Sequence, residues 1–187
     1  MSGGGELLGP FDSADWDAVR RVDTSVTSDR ELVVATWEGL PQLAWRPLDA
    51  SATKVFPWPD EPPRGIAYTA RVTGDVIGFV AAHVEPWNMS LVVDHLYVAP
   101  AHRRQGLGRR LLEAVYADSR ASSAVTVRVE TSSRNAPGIA AWQALGFSIT
   151  GFDTSLYRGT SAAGELAIFL ARCLRPADPA TPMEPRA

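Results

Sequence analysis

The stretch from Leu96 to Leu112, Leu-Tyr-Val-Ala-Pro-Ala-His-Arg-Arg-Gln-Gly-Leu-Gly-Arg-Arg-Leu-Leu, holds the residues best suited to chemistry. A β-rich run enters a basic, glycine-bearing turn, and an amphipathic helical pattern leaves it. The first N–H groups of a helix lack intrahelical partners and lie at the positive end of its dipole, so an anion belongs there. Gly106 and Gly108 remove side chains where a pyrophosphate would approach the backbone. Arg103, Arg104 and Arg109 add positive charge at the same place. The turn lacks the Gly-Lys-Ser/Thr of a P-loop, and no Gly-x-Gly-x-x-Gly fingerprint is complete, which disfavours an NTPase or a Rossmann dehydrogenase. The alternative reading of the same residues is a plain turn with solvated arginines.

The elements that must position this turn follow from periodicity. Asp12 to Val22 has Trp16, Val19 and Val22 at helical spacing, with Asp12 or Ser13 as N-cap. Glu31–Trp37 and Leu43–Leu48 are β-rich, whereas four prolines keep Phe56–Pro63 irregular. Ile66–Val72 and Val76–Glu85 flank Thr73-Gly74-Asp75 and read as a hairpin. Ser90–Val98 is a strand, and Leu107–Ser119 a helix with Leu107, Leu111, Leu112 and Val115 on one face. Val125–Thr131, Phe147–Gly151 and Glu165–Leu174 read as strands, and Gly138–Leu145 as a helix. Antiparallel strands followed by alternating strands and helices predict a mixed α/β (α+β) sandwich on one twisted sheet.

Length and charge bound the function. The chain has 187 residues, with 18 basic and 21 acidic side chains for a net charge of −3. That suits one domain and argues against a nucleic-acid binder, which usually carries a large basic excess. All basic residues but Lys54 are arginine, a bias read as GC-rich coding. The single cysteine, Cys173, cannot form an internal disulfide, and it is expected to be a buried, chemically idle residue of the last strand. His83, His95 and His102 lack metal-site spacing, so no metal is expected. No apolar run is long enough to span a membrane and no signal core is present, so the expected location is the cytoplasm. Residues 1–10 and 176–187 read as flexible tails around one domain at 11–175.

Arg103-Arg-Gln-Gly-Leu-Gly108 resembles the Arg/Gln-x-x-Gly-x-Gly/Ala signature of the GNAT superfamily of acetyl-CoA-dependent N-acyltransferases. Asn135-Ala-Pro-Gly-Ile-Ala-Ala-Trp142 with Gly146-Phe147 is similar to that superfamily's Asn-x-x-Ala helix ending in Gly-Phe. Trp87-Asn88, Val129-Glu-Thr131, Gly151-Phe-Asp-Thr-Ser-Leu-Tyr-Arg158 and Glu165-Leu-Ala-Ile-Phe169 look like streptothricin acetyltransferases. The resemblance covers about residues 75 to 172, and weakly Val22 to Val34. It implies a central, mostly antiparallel sheet, flanked by helices and splayed between the Ser90–Val98 and Val125–Thr131 strands. Acetyl-CoA is the implied cosubstrate. Its pantetheine would meet backbone around Leu96, Tyr97 and Val98, and its pyrophosphate the turn of Arg103, Arg104, Gln105, Gly106, Leu107, Gly108 and Arg109. Asn135 would contact the pantetheine arm while also serving as an N-cap, its plain structural reading. Trp142 stands where the family usually has a Tyr acid. Indole cannot transfer a proton near neutral pH, so Trp142 either packs or lines the cofactor, and Tyr157 becomes the candidate acid.

An amine must lose its proton before it attacks a thioester, so a carboxylate is needed near the splay. Asp94 is the first candidate base, because strand alternation puts it with Val92, Leu96 and Val98 on one face. A structural carboxylate is its alternative reading. Glu85 and Glu130 are further candidates. A backbone N–H near Leu96 or Tyr97 would hold the oxyanion. If the streptothricin resemblance holds, the acceptor is a small cationic amine, the β-lysine moiety. Trp87, Asn88, Glu130 and Asp153 are then acceptor-binding candidates, with Trp58, Asp60 and Glu61 as more distant ones. Acetylation of another polyamine or a protein N-terminus, or a non-catalytic acyl-CoA sensor, remain open, as does homodimerisation.

Overall fold

The fold is that of a computed structural model describing residues 6–121 and 123–174. Its main sheet has seven strands in the order β1-β4-β5-β6-β7-β9-β8. These are β1 (Leu7–Pro10), β4 (Ile66–Val72), β5 (Asp75–Glu85), β6 (Ser90–Val98), β7 (Thr126–Ser132), β8 (Ser148–Asp153) and β9 (Ala167–Cys173). Only β6 and β7 run parallel; the other neighbours are antiparallel. The expected mixed α/β sandwich with a mostly antiparallel sheet is what forms. Leu7–Pro10 pairs with Tyr68–Arg71 and is an edge strand of the sheet. Most of residues 1–10 and 176–187, read as tails, lies outside the described residues.

Helix α2 (Leu107–Ala117) covers one face of the sheet, packing Leu107, Leu111, Leu112 and Val115 against Ile66, Val80, Leu91 and Val93. That aliphatic face is the expected one, and helix α3 (Ala136–Ala144) joins it through Ile139 and Trp142. The opposite face is aromatic. Trp16 and Val19 of α1 (Trp16–Val19) bury Phe79, with Phe11 and Trp58 packed around them. The helix expected over Asp12–Val22 shrinks to this single turn. A 3₁₀ turn, Ser13–Asp15, leads into it, and Asp12 caps that turn, accepting from the Ala14 N–H at 2.9 Å. The proline-rich loop then fixes both ends, because Trp16 Nε1 donates to Asp60 O and Trp58 Nε1 to Val22 O, each at 3.2 Å.

The two β-rich runs near residues 31–48 are arms of one long hairpin, β2 (Val26–Trp37) and β3 (Leu40–Lys54), separate from the main sheet. Glu38 and Gly39 both have positive φ (48° and 80°), the two-residue turn that matches strand twist. The middle of the hairpin is tied to the β7–α3 connection. Leu32 N–H donates to Ser133 O at 3.0 Å, and buried Glu31 accepts from Arg46 at 2.5 Å and Arg134 at 2.8 Å. Burial opposes ionisation of Glu31, but the two guanidinium bonds outweigh it and hold its pKa below the usual range.

Candidate active site

The gap expected between the middle strands is present. β6 and β7 pair only from Ser90–Thr126 to Val93–Val129. Beyond that point Asp94–Val98 and Glu130–Ser132 diverge, and the β6 edge facing β7 keeps unpaired backbone groups that an amide-bearing ligand can meet. Asp94 stands at the start of the divergence for a specific reason. Ala81 pairs with His95 and Ala82 with Val93, so Asp94 is the extra residue of a β-bulge. The bulge switches the parity of the strand. Leu91 and Val93 share the α2 face with Leu96 and Val98, which corrects the expectation that Val92, Asp94, Leu96 and Val98 lie together. Asp94 instead reaches His83, whose Nδ1 is 2.9 Å from Asp94 Oδ2, and Glu85 lies 4.0 Å from His83 Nε2.

The basic turn opens α2 as expected. Gly106 has φ 80° and makes no side-chain cap, so the helix's first N–H groups are not capped by a side chain. A Cβ on Gly106 would meet nothing within 4 Å, and one on Gly108 only Leu96 Cδ2 at 3.9 Å. Arg104, also at positive φ (61°), is exposed, as is Arg109. Arg103 is committed elsewhere. Its guanidinium donates to Val98 O at 2.9 Å, Ser25 O at 2.8 Å and Asp23 O at 3.1 Å. That removes the Arg103 side chain from the phosphate set and occupies the Val98 carbonyl. Gln105 Nε2 bonds Ala101 O at 3.0 Å, and Leu107 is a core residue; neither side chain is offered to a ligand.

Asn135 caps α3, with Oδ1 accepting from Gly138 N–H at 2.9 Å and Nδ2 donating to Thr131 Oγ1 at 2.9 Å. Its carboxamide lies on Gly138, where a Cβ would come within 2.1 Å of Nδ2. The capping reading therefore accounts for this side chain. Trp142 is buried and stacks edge-on against Phe147 at 4.9 Å. Its ring is part of the core. Trp87 is fully on the surface, and Asn88 Oδ1 accepts from Ser90 N–H at 3.1 Å as a turn residue. Asp153 is also structural: its Oδ1 accepts from Ser155 N–H (2.6 Å), Ser155 Oγ (2.7 Å) and Leu156 N–H (3.1 Å). Those bonds hold its pKa down and shape the loop that delivers Tyr157.

The other lip of the gap carries a carboxylate and a phenol that face each other. Val127 and Val129 point into the α2 core, so Glu130 points to the opposite face. Tyr157 donates its hydroxyl to Glu130 Oε1. Desolvation raises the Glu130 pKa, while burial and the Glu130 bond raise that of Tyr157. Tyr97, across the gap on β6, is likewise raised, by burial first and then by the charge of Glu130. Its ring meets Trp58 edge-on at 4.8 Å.

The sequence pattern of the GNAT acetyltransferase family matches residues 31–147. The chain belongs to this family. The family is one of acetyltransferases, and its acetyl donor is acetyl-CoA. A streptothricin acetyltransferase from Streptomyces lavendulae is 37% identical over 97 residues, 52% of this chain and 51% of that protein. The match thus spans about half the length of that relative. The crystal structure of nourseothricin acetyltransferase has 32% identity and a TM-score of 0.81, covering 91% of this chain and 99% of that one. A Bacillus anthracis str. Ames protein, proposed to be a streptothricin acetyltransferase and solved with acetyl coenzyme A, has a TM-score of 0.75 over 90% of this chain and 99% of its own. At 21% identity that likeness is one of fold.

Three parts of the candidate site were not read from the sequence. His83, as partner of Asp94, lies eleven residues away across a bulged ladder. The Glu130–Tyr157 pair joins positions 27 apart. The third is a chain from Lys54 Nζ to Glu165 Oε2 (2.6 Å) and on to Ser132 Oγ. Only the short motifs around Glu130, Tyr157 and Glu165 signalled these segments. A pocket of about 200 Å³ lined by Lys54, Arg134, Ser161 and Glu165 lies beside that chain. A larger one, about 370 Å³, lies between Thr27–Arg30 and Ala136–Pro137 and holds none of the expected catalytic residues. Among the described residues no three His, Cys, Asp or Glu side chains are grouped to hold a metal ion, and no helix is long and apolar enough to cross a membrane. Cys173 is exposed, not buried as expected, because it ends β9.

Proposed function

We propose that the protein transfers the acetyl group of acetyl-CoA to a primary amine of a small cationic acceptor, the β-lysine moiety of a streptothricin. The observation that carries this reading is the Glu130–Tyr157 pair at the open end of the splay. Pyrophosphate would sit on the N–H groups opening α2, with Arg104 and Arg109 nearby. The thioester would then reach the gap beside Asp94 and Leu96, where a free β6 N–H can hold the oxyanion. Asp94, held by His83, orients the ammonium, and Glu130 takes its proton. A desolvated carboxylate with a raised pKa is suited to that step. As Glu130 is neutralised, the negative charge that keeps the Tyr157 pKa up disappears, so the phenol becomes a better donor to the departing thiolate. Trp142 carries no weight against catalysis, since it occupies the core and Tyr157 brings a phenol from another segment. Coenzyme A release measured with streptothricin, spermidine and a peptide panel tests the acceptor. Turnover of a peptide or spermidine with none on streptothricin would overturn it.

A further inference from the structure

We propose that Lys54, the chain's single lysine, is a self-acetylation site that takes the acetyl group from bound acetyl-CoA when no acceptor is present. This rests on the reading that transfer occurs at the Glu130–Tyr157 end of the splay. Lys54 ends β3 and its ammonium bridges the two lips of the gap. On one side Nζ is 2.6 Å from Glu165 Oε2, and that carboxylate accepts from Ser132 Oγ on β7 beyond the point where β6 leaves. On the other side Nζ lies 5.4 Å from the Phe56 ring centroid, and Phe56 meets Tyr97 on β6 at 6.2 Å. A carboxylate and an aromatic face are the groups that hold an ammonium acceptor. Lys54 is four-fifths buried and Glu165 more so. The charge of Lys54 is felt at Glu130, so the amine and the acid–base pair share one electrostatic neighbourhood.

The residue type matters as much as the place. Every other basic side chain is arginine, which cannot lose its proton in a protein and cannot be acylated by this route. Here stands the one side chain that can. In the step, the ammonium passes a proton to Glu165 and the neutral Nζ attacks the thioester carbonyl. The C–N bond forms, the C–S bond breaks, and the thiolate leaves as coenzyme A after taking the second nitrogen proton through Tyr157 or solvent. The product is an uncharged amide, so Glu165 loses its ion pair and keeps only Ser132.

The test is incubation of the full chain with acetyl-CoA and no acceptor, followed by intact mass and peptide mapping. The expected result is a gain of one acetyl group at Lys54, absent in Lys54→Arg and slowed at least ~10-fold in Glu165→Gln. Streptothricin is assayed in parallel. Acetylated streptothricin with Lys54 unmodified in the acceptor-free sample overturns the self-acetylation and leaves the acceptor reading intact. Modified Lys54 with no streptothricin turnover does the reverse. Equal labelling of heat-unfolded protein, or a gain only at the N-terminus or Cys173, also overturns the proposal.

Discussion

The turn from Arg103 to Arg109 and the edge around Glu130 are placed on opposite lips of one gap by different means. The turn is a contiguous stretch whose working groups are backbone N–H donors aimed by a helix start. The edge draws Lys54, Glu130, Tyr157 and Glu165 from β3, β7 and the loop between β8 and β9. The difference is one of tolerance. A backbone cradle depends on what is missing at Gly106 and Gly108, whereas the edge depends on what is present, atom by atom.

The largest effect that separates them is expected at the edge. Glu130→Gln should lower kcat/KM roughly 10²-fold or more, the scale of a general base, with acetyl-CoA affinity unchanged. For the wild type, activity should fall as pH drops through the raised Glu130 pKa, because only the ionised form accepts the proton; a pH–rate profile without that limb in wild type would remove Glu130 as base. At the turn, Gly108→Ala and Gly108→Leu together separate fold from ligand. The Ala Cβ fits the structure in ordinary contact with Leu96, so stability should hold or rise by about 0.5 kcal/mol. Acetyl-CoA binding should survive that Cβ, since the family signature admits Ala here, and weaken at least ~10-fold in the bulkier Gly108→Leu, which calorimetry on the folded variants can read; unchanged affinity in both would sink the cradle. Gly106→Val is less informative, since positive φ strains any side chain there.

Asp94→Asn should cost about tenfold in kcat/KM with most of the melting temperature kept, because in the proposed mechanism Asp94 orients the amine and Glu130 takes the proton. A drop matching that of Glu130→Gln would move the base to the β6 lip. The smallest effect is structural. Gly138→Ala should displace the Asn135 cap and cost about 1 kcal/mol in urea unfolding, with little change in acetyl-CoA affinity. A large loss of affinity there would restore Asn135 as a ligand-binding side chain.

What was legible in the sequence follows the same division. Ser90–Val98, the hairpin of Ile66–Val72 with the strand ending at Glu85, and the turn into α2 were read correctly because their signals are local: alternation, a Gly-Asp turn, glycines before an amphipathic helix. Parity at Asp94 was not, since one extra residue in a ladder leaves no mark on hydrophobicity. Arg103 looked like part of a basic cluster, and only the folded chain brings Asp23 and Ser25 carbonyls to it. The reach of Tyr157 to Glu130 and of Lys54 to Glu165 depends on how β3, β7 and the loop before β9 converge. Pairings over that separation are set by packing, not by spacing. Asn135 and Trp142 were legible as both structural and functional residues, and the completed cap and the burial account for the structural part.

The three bonds of Arg103 also bear on how tightly a small molecule can be held. A glycine-bearing loop that becomes ordered only on binding loses conformational freedom at that moment, and affinity falls accordingly. Here the guanidinium fastens the loop to the end of β6 and to the segment before β2 during folding. Its entropy is already gone when the anion arrives. On the proposed reading the helix start is thus a receptor already fastened on the free protein, and association there needs little rearrangement of the main chain.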